Sequence, residues 1–116
     1  MSIRVTYQRG RQYRQTFYQN DEIPFEVTLR DAQGNVIDLS GLTVTLPAKL
    51  NLFDDTAQFT LTGTLTDAAA GIVTFPVTGS ETGTVRNYWA EILITDGLGY
   101  TEALVLFQFD ILRGIV

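Results

Sequence analysis

The chain contains no cysteine and no histidine among its 116 residues. Without cysteine it can form neither a disulfide nor a thiolate metal site, and its redox compartment cannot be read from the sequence. Without histidine it lacks the commonest general base and the commonest zinc ligand. Its serines are Ser2, Ser40 and Ser80, and no imidazole exists to activate any of them as a nucleophile. No apolar run is long enough to span a bilayer. The opening Met1-Ser2-Ile3-Arg4 lacks the apolar stretch of a signal peptide. Long charged or low-complexity runs are also missing.

What is present points to β structure. Sixteen threonines and an apolar content of 45%, with few helix-periodic stretches, describe one folded domain built from strands. Residues 2–8 alternate Ile3, Val5 and Tyr7 against Arg4, Thr6 and Gln8, which predicts a strand at a sheet edge. Phe25, Val27 and Leu29 face inward in the next strand, over residues 23–30, with Pro24 at its start. Residues 31–35 form a turn. Another strand covers 42–46, where Pro47 stops it. Residues 56–66 and 71–77 add further strands, joined by a connection at 67–71 too short for a useful helix. Short strands bounded by glycine turns indicate a sandwich or barrel. The expected fold is an all-β, immunoglobulin-like antiparallel sandwich of seven or eight strands. A jelly roll or closed barrel is the alternative.

The organising stretch runs from Tyr88 to Ile111 and reads as two long strands joined at Asp96-Gly97-Leu98-Gly99. A four-residue loop there would set Tyr88 opposite Phe107, Ala90 opposite Val105 and Ile92 opposite Ala103. Tyr88, Ala90, Ile92 and Ile94 then share an inner face with Ala103, Val105, Phe107 and Phe109. The expected core gathers Phe25, Val27, Phe59, Phe75, Ile92, Val105, Phe107 and Phe109. The outer face carries Glu91, Thr95, Glu102, Gln108 and Asp110. It also carries Trp89, Leu93, Leu104 and Leu106, an apolar stripe that solvent does not require. Either a second chain covers this stripe, or a loop or the N-terminal segment does.

Charge divides the chain. Residues 1–20 hold Arg4, Arg9, Arg11 and Arg14 and no acid, a sum of +4; residues 21–116 hold four cations and thirteen acids, a sum of −9. Residues 1–20 are read as a basic strand or arm and 21–116 as the sandwich domain. Within 9–20 the arginines interleave with Tyr13, Phe17 and Tyr18. The alternative for this segment is a further strand with Tyr13 and Phe17 tucked against the core. Arginine mixed with aromatics suits single-stranded nucleic acid and protein interfaces alike. The acidic body would repel phosphates, so a protein partner is favoured over nucleic acid, and no membrane partner is expected. The interface candidates are therefore Arg4, Arg9, Arg11, Tyr13, Arg14, Phe17, Tyr18, Trp89, Leu93, Leu104 and Leu106.

Catalytic signals are weak. Gly97-Leu98-Gly99 is a fragment of a nucleotide fingerprint placed in a hairpin, which makes it a turn. Asp54-Asp55 and Asp21-Glu22 could in principle ligate calcium or act as paired carboxylates. Nothing fixes a second partner for either pair, so they read as solvated loop acids. No catalytic, cofactor or metal residue is assigned.

The order of signals resembles one family. It runs through Phe25-Glu-Val-Thr-Leu-Arg-Asp-Ala-Gln-Gly-Asn35, Asp38-Leu-Ser-Gly-Leu-Thr-Val-Thr-Leu46 and Asp67-Ala-Ala-Ala-Gly-Ile-Val-Thr-Phe75. Tyr88-Trp-Ala-Glu-Ile92 and Asp96-Gly-Leu-Gly-Tyr-Thr101 complete it. This sequence of turns and strands resembles the N-terminal immunoglobulin-like domain of the baseplate upper protein family of tailed bacteriophages, over roughly residues 22–111. The resemblance implies a virion structural module without catalysis, docking on other tail, baseplate, neck or head proteins and on copies of itself. Family members continue into a connector that carries receptor-binding proteins, whereas this chain ends at Val116. A small stand-alone virion protein, including a head-surface decoration protein, is therefore an equal expectation. A carbohydrate-binding or host-surface adhesion module is the alternative from another class, with Trp89, Tyr88 and Tyr100 as candidate aromatics.

Overall fold

The alternation seen in the sequence resolves, among the described residues, into nine strands in two packed sheets. A computed structural model describes residues 2–114; the chain end at Val116 lies outside them. The strands are β1 (Ile3–Gln8), β2 (Gln12–Tyr18), β3 (Ile23–Arg30), β4 (Thr43–Lys49), β5 (Phe59–Thr62), β6 (Thr64–Asp67), β7 (Ile72–Val77), β8 (Arg86–Thr95) and β9 (Thr101–Leu112). Among the described residues the only helical segments are a 3₁₀ turn at Ala68–Ala70 and one α-turn, α1 (Gly79–Thr82). One sheet has the order β1-β3-β7-β6 and the other β2-β9-β8-β4-β5. With β1, β3, β6 and β7 as A, B, D and E, and β4, β8 and β9 as C, F and G, this is the immunoglobulin-like arrangement. Phe25, Val27, Phe75, Ile92, Val105, Phe107 and Phe109 are all in the core, and Phe59 packs half-buried against them.

The first strand is the edge strand expected over residues 2–8, and the segment after it is a further strand, β2, rather than an extended arm. β1 pairs with β3 and β2 pairs with β9, both in parallel, so the two sheets are mixed rather than purely antiparallel. The segment is a hairpin laid across the open side of the sandwich, one strand in each sheet. Its tip is pinned to both: Arg9 N–H donates to the Arg30 carbonyl at 2.8 Å and Gly10 N–H to the Leu104 carbonyl at 3.2 Å. Gly10 takes a φ of 82° there, a left-handed conformation that favours glycine. The reason lies in a period of two that the polar composition hides. Tyr13, Gln15 and Phe17 point inward, and Gln12, Arg14 and Tyr18 point to solvent.

The β8–β9 hairpin differs from its expected register in an instructive way. The loop is Asp96–Tyr100, one residue longer, because the Asp96 carboxylate accepts the N–H groups of Leu98 and Tyr100 at 2.9 and 3.0 Å. That puts Thr95 opposite Thr101 and Leu93 opposite Ala103. A bulge at Leu104 then adds a second shift, giving Ile92 opposite Val105, Ala90 opposite Phe107 and Tyr88 opposite Phe109. Two shifts of one residue restore the facing, so the core assignment survives beyond the bulge. Between loop and bulge it does not. Ala103 is exposed and Leu104 is buried in the core cluster, the reverse of the expected placement.

Two further points depart from the sequence reading. β4 runs through Pro47 to Lys49. Its ladder to β8 lapses after Thr45 and resumes at Ala48, as expected where a residue has no N–H to donate. The expected single strand over 56–66 is two strands, β5 and β6, in different sheets. The chain crosses at Gly63, where an added Cβ would lie 2.3 Å from Val73 Cγ2.

Candidate interaction face

Three of the four arginines in the first twenty residues, Arg4, Arg9 and Arg14, are paired with acids of the body of the same chain. Arg4 on β1 pairs with Glu26 on β3 at 3.1 Å, and Arg14 on β2 pairs with Asp110 on β9 at 3.0 Å. Arg9, at the hairpin tip, pairs with Glu102. The attraction between basic segment and acidic body therefore acts within the monomer. Arg11 is exposed beside the tip and makes no ion pair among the described residues. Each of these pairs is partly solvated, and such pairs contribute about 0–1 kcal/mol. They orient side chains more than they hold the fold.

The aromatic candidates divide. Phe17 is fully buried and stacks on Phe109, with ring centroids 4.6 Å apart. It is a core residue and is not available to a partner. Tyr13 is half-buried and stacks on Tyr7 at 4.2 Å, and its hydroxyl oxygen accepts the Gln8 N–H at 2.8 Å. Tyr18 stays exposed at the end of β2. The Tyr7 hydroxyl is buried without a hydrogen-bond partner among the described residues. Burial, with Tyr13 nearby as a lesser cause, raises its pKa above the usual value near 10.

Of the expected outer stripe, three members remain. Trp89, Leu93 and Leu106 sit half-buried on the outer face of the five-stranded sheet, and Leu104 has been turned inward by the bulge. β2 lies beside this face as an edge strand and does not cover it. Across the sheet, cross-strand pairing sets Arg14 beside Gln108 and Gln108 beside Trp89, with Lys49 beyond. The next row places Asp110 beside Asn87. Arg14, Leu50, Asn87, Tyr88, Trp89, Gln108 and Asp110 line a shallow cleft of about 250 Å³. Arg14 Nε donates to Gln108 Oε1 at 2.7 Å, so the cleft's polar wall is already organised.

Of the three most exposed large apolar residues among the described ones, the sequence reading singled out Tyr100, as a candidate sugar-binding aromatic, but neither Phe53 nor Leu98. Phe53 in the β4–β5 loop is 92% exposed, and Leu98 and Tyr100 in the β8–β9 loop are 85% and 75% exposed. β4 ends where β8 begins and β8 ends where β4 begins, so these two loops project from opposite ends of the sandwich. The available signal was a large apolar residue set among turn-forming Asp, Asn and Gly, where hydrophobic periodicity gives no reason for it. Among the described residues no three His, Cys, Asp or Glu side chains converge as a metal ion would need.

The fold has a known counterpart. The chain is similar in structure to the N-terminal domain of phage TP901-1 ORF48, with a TM-score of 0.74 over 97% of this chain and 98% of that one, at 11% sequence identity. No protein-family model and no curated protein matches the chain. At that identity the likeness is one of fold, and it spans both sheets and the N-terminal hairpin rather than a shared fragment.

Proposed function

We propose that the chain is a non-enzymatic structural module of a bacteriophage virion, in the tail, baseplate or neck, docking on other virion proteins in multiple copies. The observation that carries this reading is the near-complete overlap, in both directions, with the fold of a phage protein domain. The distribution of side chains supports it. The described acids are paired with neighbouring arginines or Lys49, cap turns or face solvent, and the two most exposed apolar loops sit at opposite ends. Apolar tips at two ends suit contacts to two neighbours, and head-to-tail contacts between copies close into rings or continue as helices.

Incorporation into particles tests the reading. Phage assembled with Phe53→Asp or with Leu98→Asp/Tyr100→Asp should carry at least about tenfold less of the protein, the loss expected when an anchor of an interface is replaced by a charge. Particles that never contain the wild-type chain, probed with an antibody against it, would overturn the reading.

A further inference from the structure

The chain's single tryptophan, Trp89, stands in the cleft on the outer face of the five-stranded sheet. We propose that this cleft is a binding subsite for one neutral sugar ring. The inference goes beyond the structural role and stands on the isolated chain.

The chemistry of the lining selects the ligand. An indole beside a shallow cleft offers an apolar surface to the C–H face of a ring, and its own N–H as a donor. Around it stand side chains that both donate and accept. Asp110 uses Oδ2 on Arg14, which leaves Oδ1 as an acceptor. Gln108 uses Oε1 on Arg14, which leaves its amide N–H₂ as a donor. Asn87 is exposed on β8 and offers both kinds of atom. A ring hydroxyl is itself donor and acceptor, so it pairs with either kind of group. Electrostatics narrows the class further. The Arg14–Asp110 pair at 3.0 Å sums to zero charge, so the cleft's lining carries no net charge to favour a phosphate or a metal cation, and a neutral polyol fits it better than either.

Size and rigidity agree. The cleft, about 250 Å³, lies below the range of about 300–1,000 Å³ that holds drug-sized ligands; it suits one ring of a longer glycan, with the rest in solvent. Its polar groups come from the neighbouring strands β2, β8 and β9, and Asp110 is only 9% exposed, so the geometry is fixed before a ligand arrives. A protein partner would seek the projecting apolar tips at Phe53, Leu98 and Tyr100 before this recess. A single ring of about a dozen heavy atoms binds on the order of millimolar at ordinary ligand efficiency, a strength useful when many copies act together.

Because Trp89 is the only tryptophan, its fluorescence reports the site directly. The purified chain is titrated with the methyl glycosides of glucose, galactose, mannose, rhamnose and N-acetylglucosamine, with glucose 6-phosphate as the charged control. At least one neutral glycoside should give a saturable change, weakened about tenfold or more by Asn87→Ala and by Asp110→Asn, while glucose 6-phosphate binds no better than its neutral parent. Asn87→Ala alters an exposed side chain and keeps the test valid if Asp110→Asn disturbs the fold. Three results would overturn the proposal: no glycoside saturates; saturation occurs but neither substitution weakens it; or the fluorescence changes with protein concentration alone, which would make the cleft a contact between copies. None of these bears on whether the chain enters particles.

Discussion

Phe17 and Phe109 stack at 4.6 Å, and through that contact a segment that reads as a polar, basic extension becomes part of the core. Phe17 also meets Phe25 edge-on at 5.6 Å, so one residue of β2 touches both sheets. Phe17→Ala should cost about 3–5 kcal/mol, the range for an aromatic deleted from a packed interior. Removing residues 1–20 altogether should leave a chain that does not fold, since two edge strands and Tyr7, Tyr13 and Phe17 go with it. Urea denaturation of both variants checks this. A soluble, cooperatively unfolding chain lacking 1–20 would show that the hairpin is dispensable.

Leu104 separates the inner from the outer residues of β9. Leu104→Asp should unfold the protein, at a cost on the order of 4 kcal/mol or more, because a buried carboxylate there gains no partner. Leu93→Asp and Leu106→Asp, on the half-buried outer face, should cost about 1 kcal/mol and leave the circular dichroism spectrum unchanged. Equal losses at all three positions would mean that the bulge does not form.

Much of this fold was legible before the structure. The strand over Ile23–Arg30, the turn after it, the β7 strand and the inner face of β8 and β9 follow from period-two alternation and glycine placement. Three things were not legible, each for a physical reason. The edge strand β1 was legible, but β2 pairs with β9 far along the chain, and parallel pairing leaves no turn signature in the sequence. The bulge at Leu104 changes facing by one residue, and nothing in Ala103-Leu104-Val105 distinguishes it from regular strand. Gly63 reads as an ordinary strand glycine until Val73 is seen beside it. Among the interface candidates, charge and aromatic composition picked out Arg11 and Tyr18, which are exposed, and strand alternation placed Trp89, Leu93 and Leu106 on the outer face, where they sit half-buried. They could not show that Phe17 and Leu104 would be buried or that Arg4, Arg9 and Arg14 would be paired within the chain.

Gly63 is the crossing point between the sheets. Gly63→Ala should destabilise by about 1–3 kcal/mol, the usual cost of forcing a methyl into filled space, because its Cβ would lie 2.3 Å from Val73 Cγ2. The paired change Gly63→Ala/Val73→Ala should recover part of the loss. Thermal melting of the single and double variants gives the coupling directly, and additive losses would refute the clash.

Tyr7 carries a buried hydroxyl without a partner. Tyr7→Phe should therefore be neutral or stabilising by about 1 kcal/mol at pH 7. The pH dependence has a definite sign. The folded phenol resists ionisation, so its pKa lies above that of the unfolded chain, and its contribution to stability is intact below pH ~10 and falls as pH rises beyond it. The wild type should lose stability above that pH by up to about 1.4 kcal/mol per unit, and Tyr7→Phe should lose less. Denaturation midpoints between pH 8 and 11, on the order of one unit apart, would reveal identical slopes if the hydroxyl were in fact solvated.

β2 and β9 lie side by side, and Arg14 reaches a partner 94 residues away in sequence. A ribosome delivers β2 long before β9. β2 must wait, unpaired, until β9 has left the exit tunnel, and Phe17 has no stacking partner until then. Closing so long a loop is the slow kind of step in folding. Arg9, Arg11 and Arg14 in and beside the waiting strand should then serve a second end: keeping a stretch with Tyr13, Phe17 and Tyr18 soluble, and apart from its equally basic counterparts on neighbouring nascent chains, until the strand that completes the sandwich arrives.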